Sequence, residues 1–133
     1  MHRLFLKADK LSGEVIGAAI EVHRIMGSGL IESIYEKCLG RELALRHMPA
    51  TQQQRVSIDY KGLIFDETLR YDTLVDECLL LELKVVEKIL PIHKAQLLSY
   101  MKLLDIPIGL LINFREERLI DGIHRLLLKG ADR

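Results

Sequence analysis

The chain has 133 residues, 49% of them hydrophobic, with 19 basic side chains against 19 acidic ones and a formal net charge of zero. That length fits one domain, since domains cluster at about 100–150 residues, and the apolar content excludes a disordered chain. The charge balance weighs against strong sequence-blind binding to a polyanion, which needs a surplus of Lys and Arg to displace counterions, but it leaves room for a local basic rim.

The first half reads as helix. From Leu11 to Met26 the apolar residues Val15, Ile16, Ala19, Val22 and Met26 form a helical stripe. Asp9 or Ser12 is placed to cap its start, and Gly27-Ser28-Gly29 breaks it. A second helix is expected from about Leu30 to His47, with Ile31, Ile34, Tyr35, Cys38, Leu39 and Leu43 on one side, ended by Met48-Pro49-Ala50.

The period then changes. Gln54 to Tyr60 alternates polar and apolar, as a half-buried strand does. Lys61-Gly62 reads as a tight turn. Leu63 to Val75 gives a second strand, with a bend near Asp66-Glu67. After a turn at Asp76-Glu77, Cys78 to Val86 is apolar on both faces at its start and reads as a central third strand. These three strands are expected to form an antiparallel meander. Pro91 suits the first position of a helix reaching Leu104, which Asp105-Ile106-Pro107 stops. Ile108 to Phe114 is a buried fourth strand, parallel to the third through the helical crossover. Leu119 to Leu128 fits either a helix or an edge strand.

Asp72 lies in the apolar run Tyr71-Asp72-Thr73-Leu74-Val75, and Glu82 and Lys84 lie in another, Leu79 to Val86. A buried carboxylate costs several kcal/mol unless it is paired or holds a metal, on the order of the penalties in. Residues two apart in a strand share a face, so Glu82 and Lys84 point the same way. Pairing through Asp76-Glu77 brings Asp72 beside Glu82, close enough to bind one ion. Oxygen-only ligands suit magnesium or manganese. Lys84 would then orient or deprotonate an attacking water, or neutralise charge on a phosphate. The alternative is an ion-pair ladder on a solvent-facing strand.

Gln96 and Tyr100 share a helix face four residues apart, fit either to orient water or substrate or to form a polar helix edge. Glu32 opens the second helix, where a carboxylate also favours the helix dipole. His23 suits a helix end, and His93 and Lys94 a site rim. Cys38 and Cys78 lack metal-like spacing and read as free thiols; the scattered histidines make zinc unexpected. No Walker loop, glycine-rich dinucleotide fingerprint or G-x-S-x-G elbow is present. No apolar run approaches the ~18 residues of a membrane span, and Met1 to Lys7 is charged too early for a signal peptide. A cytoplasmic protein without a membrane partner is expected.

Gly29-Leu30-Ile31-Glu32-Ser33-Ile34-Tyr35 resembles the G-x-x-E-x-x-Y signature of the GxxExxY protein family, itself similar to the PD-(D/E)XK nuclease superfamily. The likeness runs from Val15 to about Leu127. It takes in Glu21-Val22-His23, Asp72, Glu82-Leu83-Lys84, His93-x-x-Gln96-Leu97-Leu98-x-Tyr100 and Gly109 to Phe114, in order. It implies an α/β (α+β) fold with a restriction-endonuclease-like core: a mixed central sheet flanked by helices, ordered ααβββαβ with a C-terminal strand or helix, as a single domain over residues 1–133. It implies Asp72 and Glu82 as ligands of Mg2+ or Mn2+, Glu32 as a further acid at the metal, Lys84 as the catalytic lysine, and Gln96 and Tyr100 as the Q-x-x-x-Y element of RecB-like nucleases. Tyr71 stands where the superfamily's name has proline.

The reading this supports is a metal-dependent nuclease acting on DNA or RNA. The alternative is a catalytically silent module with the same fold that binds a protein or nucleic-acid partner, and a further one is an ordinary α/β domain with incidental charges. A homodimer or a protein partner would supply grip that so small a chain lacks.

Overall fold

The computed structural model describes residues 1–133, apart from the side chains of Glu67 and Thr68. Two helices, α1 (Phe5–Met26) and α2 (Glu32–Leu45), precede four strands, β1 (Ala50–Gln52), β2 (Arg55–Tyr60), β3 (Leu63–Arg70) and β4 (Thr73–Val75). There follow β5 (Leu79–Lys84), α3 (Pro91–Leu104), β6 (Ile108–Asn113), a short 3-10 turn at Leu119–Gly122 and β7 (Ile123–Leu127). The main sheet has the order β1-β4-β5-β6-β7, while β2 and β3 form a separate two-stranded sheet. All pairs are antiparallel except β5 with β6, which run parallel across the α3 crossover. This is an α+β fold with a mixed central sheet between helices.

Helix α1 starts six residues ahead of the expected Leu11, because Leu4, Phe5 and Ala8 continue the apolar stripe into the core. Neither Asp9 nor Ser12 caps it: Ser12 Oγ donates to the Asp9 carbonyl (2.7 Å) within the helix, and the Leu4 N–H instead donates to His2 Nδ1 (3.1 Å). The expected three-stranded meander is divided. Its second strand leaves β2 at Tyr71-Asp72 and resumes as β4, which pairs with β5 on one side and with β1 on the other. The interruption is therefore not at Asp66, and the Glu67 side chain of that expected bend lies outside the described residues. The ambiguous tail is mostly an edge strand, β7, antiparallel to β6. Both hairpins turn on left-handed pairs, Lys61-Gly62 (φ 51° and 89°) and Asp76-Glu77 (φ 47° and 57°), the backbone that matches strand twist.

Strand β5 has a helix layer on each face. Leu79, Leu81 and Leu83 join Ile108, Leu110 and Ile112 of β6 under α1 and α2. Leu80 and Leu111 pack with Leu97 and Met101 of α3 and with Val56 of β2. Burying each leucine is worth about 1.5–3 kcal/mol, so these residues set the strand's rotation. By parity Glu82 and Lys84 then fall on the α3 side. Gly109 lets α3 approach: a Cβ there would lie 2.6 Å from Met101 Sδ. Among the described residues, no helix is long and apolar enough to cross a membrane. Cys38 and Cys78 are free.

Candidate metal centre

Asp72 sits in the gap between β3 and β4 and is 6% exposed. Thr73 pairs with Leu81, so extending the register by one residue sets Asp72 opposite Glu82. Its Oδ2 accepts the Leu83 N–H (2.7 Å) and its Oδ1 accepts the Gln53 side-chain amide (3.0 Å). Glu82 and Lys84 project from β5, with Lys84 Nζ 3.4 Å from Glu82 Oε1 and both side chains about four-fifths covered (20% and 19% exposed). Glu32, the first residue of α2, completes the group. One carboxylate oxygen from each of Glu32, Asp72 and Glu82 lies within 4.8 Å of the others.

Tyr35 explains how Glu32 reaches this point. Its hydroxyl donates to the Gly27 carbonyl (2.6 Å) and accepts the Leu30 N–H (3.1 Å). The ring stacks on Phe114, centroids 4.5 Å apart. The loop between α1 and α2 is thereby tied to the core just ahead of Glu32. At the other end of β5, the buried Asn113 accepts the Val86 N–H (3.1 Å) and donates to the Val86 carbonyl (2.8 Å). The strand is held immediately beyond Lys84.

The electrostatics express crowding. Burial, then the Asp72 charge, pushes the Glu82 carboxyl up to about 7, against the pull of Lys84. Asp72 is raised by burial and by Glu32, opposed by the Leu83 N–H and by Lys84. Glu32 is raised by burial, opposed by Lys84. Tyr100 is raised by burial and then by Glu82. Three carboxylates beside one ammonium leave an excess of negative charge in a partly desolvated space. An oxygen-only donor set with that excess fits a hard divalent cation, and the convergence from three separate elements makes the fit geometric as well as electrostatic.

A family model for the PD-(D/E)XK nuclease superfamily matches residues 9–126. The chain belongs to that superfamily. No curated protein matches it, and no solved structure does.

In this superfamily member Glu32, Asp72 and Glu82 meet at one point, with Lys84 against Glu82. Asp72 is not part of a solvent-facing ladder, because β5 is a central strand and Asp72 is buried. Tyr100 is half-buried and within electrostatic reach of Glu82 and Lys84. Gln96, one turn earlier on α3, is exposed, and among the described residues no side-chain hydrogen bond joins it to the acids. His23 Nε2 meets the Glu116 carbonyl (2.8 Å), and His93 Nδ1 accepts the Leu90 N–H (2.9 Å) at the start of α3.

Two residues at the site were not singled out from the sequence. Glu36, one turn after Glu32 on α2, is raised by burial and by Asp72. Gln53, between β1 and β2, donates to both Glu36 carboxylate oxygens (3.1 Å each) as well as to Asp72. The i,i+4 spacing of Glu32 and Glu36 was the available signal. Gln53 had none, since its position follows from a long-range strand pairing.

Proposed function

We propose that this chain is a metal-dependent nuclease that hydrolyses phosphodiester bonds in nucleic acid. Within the superfamily we assign it to the GxxExxY family on the strength of Gly29 to Tyr35. The observation that carries the proposal is the meeting of Glu32, Asp72 and Glu82 beside Lys84. The three carboxylates are the proposed ligands of one Mg2+ or Mn2+. When bound, such an ion supplies Lewis-acid charge against the phosphate and eases deprotonation of the attacking water.

The chain's own residues do the rest. The Leu83 N–H and the Gln53 amide donate to the Asp72 carboxylate. Lys84 holds the attacking water in line or stabilises charge growing on the phosphate oxygens. Tyr100, at the α3 edge, offers its hydroxyl as a donor to the substrate backbone, with Gln96 one turn further out. The test is cleavage of single- and double-stranded DNA and RNA by the purified chain in Mg2+ or Mn2+, against Asp72→Ala and Lys84→Ala variants. Cleavage should need the metal and fall by at least about a hundredfold in either variant, the scale of losing one charge-stabilising group. Undiminished cleavage by either variant removes the assignment.

The neutral net charge favours a second reading, a silent module of the same fold that binds a protein or nucleic-acid partner. Titration calorimetry with Mn2+ separates the two. Binding at the triad supports the enzyme, and a chain that takes up no divalent ion is the module.

A further inference from the structure

Gln53 has a backbone and a side-chain geometry that the strand pairing alone does not require. Its φ is +55°, in the left-handed region that non-glycine residues rarely occupy. Its N–H donates to the Asp72 carbonyl (3.0 Å), and the Tyr71 N–H donates to the Gln54 carbonyl (3.2 Å). The β1–β2 connection is thus sewn to the same backbone break that presents Asp72. The turned backbone aims the Gln53 amide between two carboxylates. One amide hydrogen serves Asp72 Oδ1 (3.0 Å), and the other is shared across Glu36 Oε1 and Oε2 (3.1 Å each). An amide nitrogen has two hydrogens, so both are used on acids.

We propose that Gln53 is a positioning residue for the metal centre: its amide bridges Asp72 and Glu36 and so fixes the rotation of the Asp72 carboxylate. The proposal rests on the reading that Glu32, Asp72 and Glu82 bind a divalent cation. With the Leu83 N–H on Oδ2 and the Gln53 amide on Oδ1, both Asp72 oxygens have a donor, and one of them lies within 4.8 Å of carboxylate oxygens of Glu32 and Glu82. Without Gln53 the carboxylate is held by one donor only. Glu36 loses the same donor. Partners of this kind, which touch a ligand rather than the metal, commonly govern affinity about 10–100-fold.

The experiment is titration of the full chain with Mn2+ alone, together with thermal unfolding in EDTA, for the wild type, Gln53→Ala and Gln53→Gly. Glycine removes the amide as alanine does but relieves the left-handed backbone, so its metal-free stability should exceed that of Gln53→Ala. The expected result is Mn2+ affinity weakened at least tenfold, and equally, in both variants, although Gln53→Gly melts higher than Gln53→Ala. Unchanged Mn2+ affinity in Gln53→Gly overturns the positioning role while leaving the triad standing. A wild type that binds no Mn2+ overturns both. Weakened affinity that merely tracks a lower melting temperature in both variants makes Gln53 structural and also refutes the proposal.

Discussion

Replacing Glu82 by glutamine should stabilise the metal-free protein at pH 8. Burial and the neighbouring Asp72 move the Glu82 carboxyl from its usual 4.5 up to about 7, equivalent to roughly 3 kcal/mol of disfavour for the ionised form. The side chain is 20% exposed and pairs with Lys84, so solvent and the lost ion pair reduce the gain to about 1–2 kcal/mol. Lys84 still has Glu32 and Asp72 for company. With an unfolding entropy near 2.1 cal/mol/K per residue over this chain, that is about 4–7 °C in melting temperature. The pH dependence has a definite sign. A carboxyl raised in the folded state contributes stability that is fully present below about 4.5 and lost as pH rises through about 7. The wild type in EDTA should therefore weaken between pH 5 and pH 8, and Glu82→Gln should be flatter. Thermal unfolding followed by circular dichroism at both pH values measures this. A variant less stable than wild type at pH 8, or an equal gain at both pH values, would refute the argument that crowded carboxylates burden the empty site.

Metal binding should show the complementary dependence: at pH 5.5 the Glu82 proton must be displaced, so Mn2+ affinity should be roughly thirtyfold weaker than at pH 8, read by calorimetry. Tyr35→Phe keeps the stack on Phe114 but leaves the Gly27 carbonyl and Leu30 N–H without their partner. It should cost about 1–3 kcal/mol in urea unfolding and also weaken Mn2+ binding, because Glu32 follows the same loop. Gly109→Val drives a side chain into Met101 and Leu97 and should cost about 1–3 kcal/mol by overpacking, again read in urea, with α3 displaced from the sheet.

Strand β5 was legible because its pattern is local. Glu82 and Lys84 share a parity with Leu80, and the apolar run marks a covered strand. Helix α3 was legible from Pro91 at its start and Asp105 at its end, where the left-handed φ of 54° stops it. Strand β1 was not legible, since Ala50-Thr51-Gln52 has no apolar alternation and becomes a strand only by pairing with β4. The break at Tyr71-Asp72 was hidden for a similar reason. No glycine or proline marks it, and what holds it is the distant Leu83 N–H and Gln53. The sequence read as sequence pointed to Tyr35 through spacing, but its grip on Gly27 and Leu30 depends on how α1 and α2 meet.

The ladder on both edges of β5 has a mechanical consequence. It pairs with β6 from Leu79 to Lys84 but with β4 only from Leu79 to Leu81; beyond that the Leu83 N–H goes to Asp72, and Asn113 closes the end at Val86. The paired sheet of β2 and β3 meets the body through Val56 and Leu69. Support is therefore divided unevenly along the chain: Glu82 and Lys84 ride on a strand paired with β6 over its whole length, while β2 and β3 stand as a separate sheet beside it.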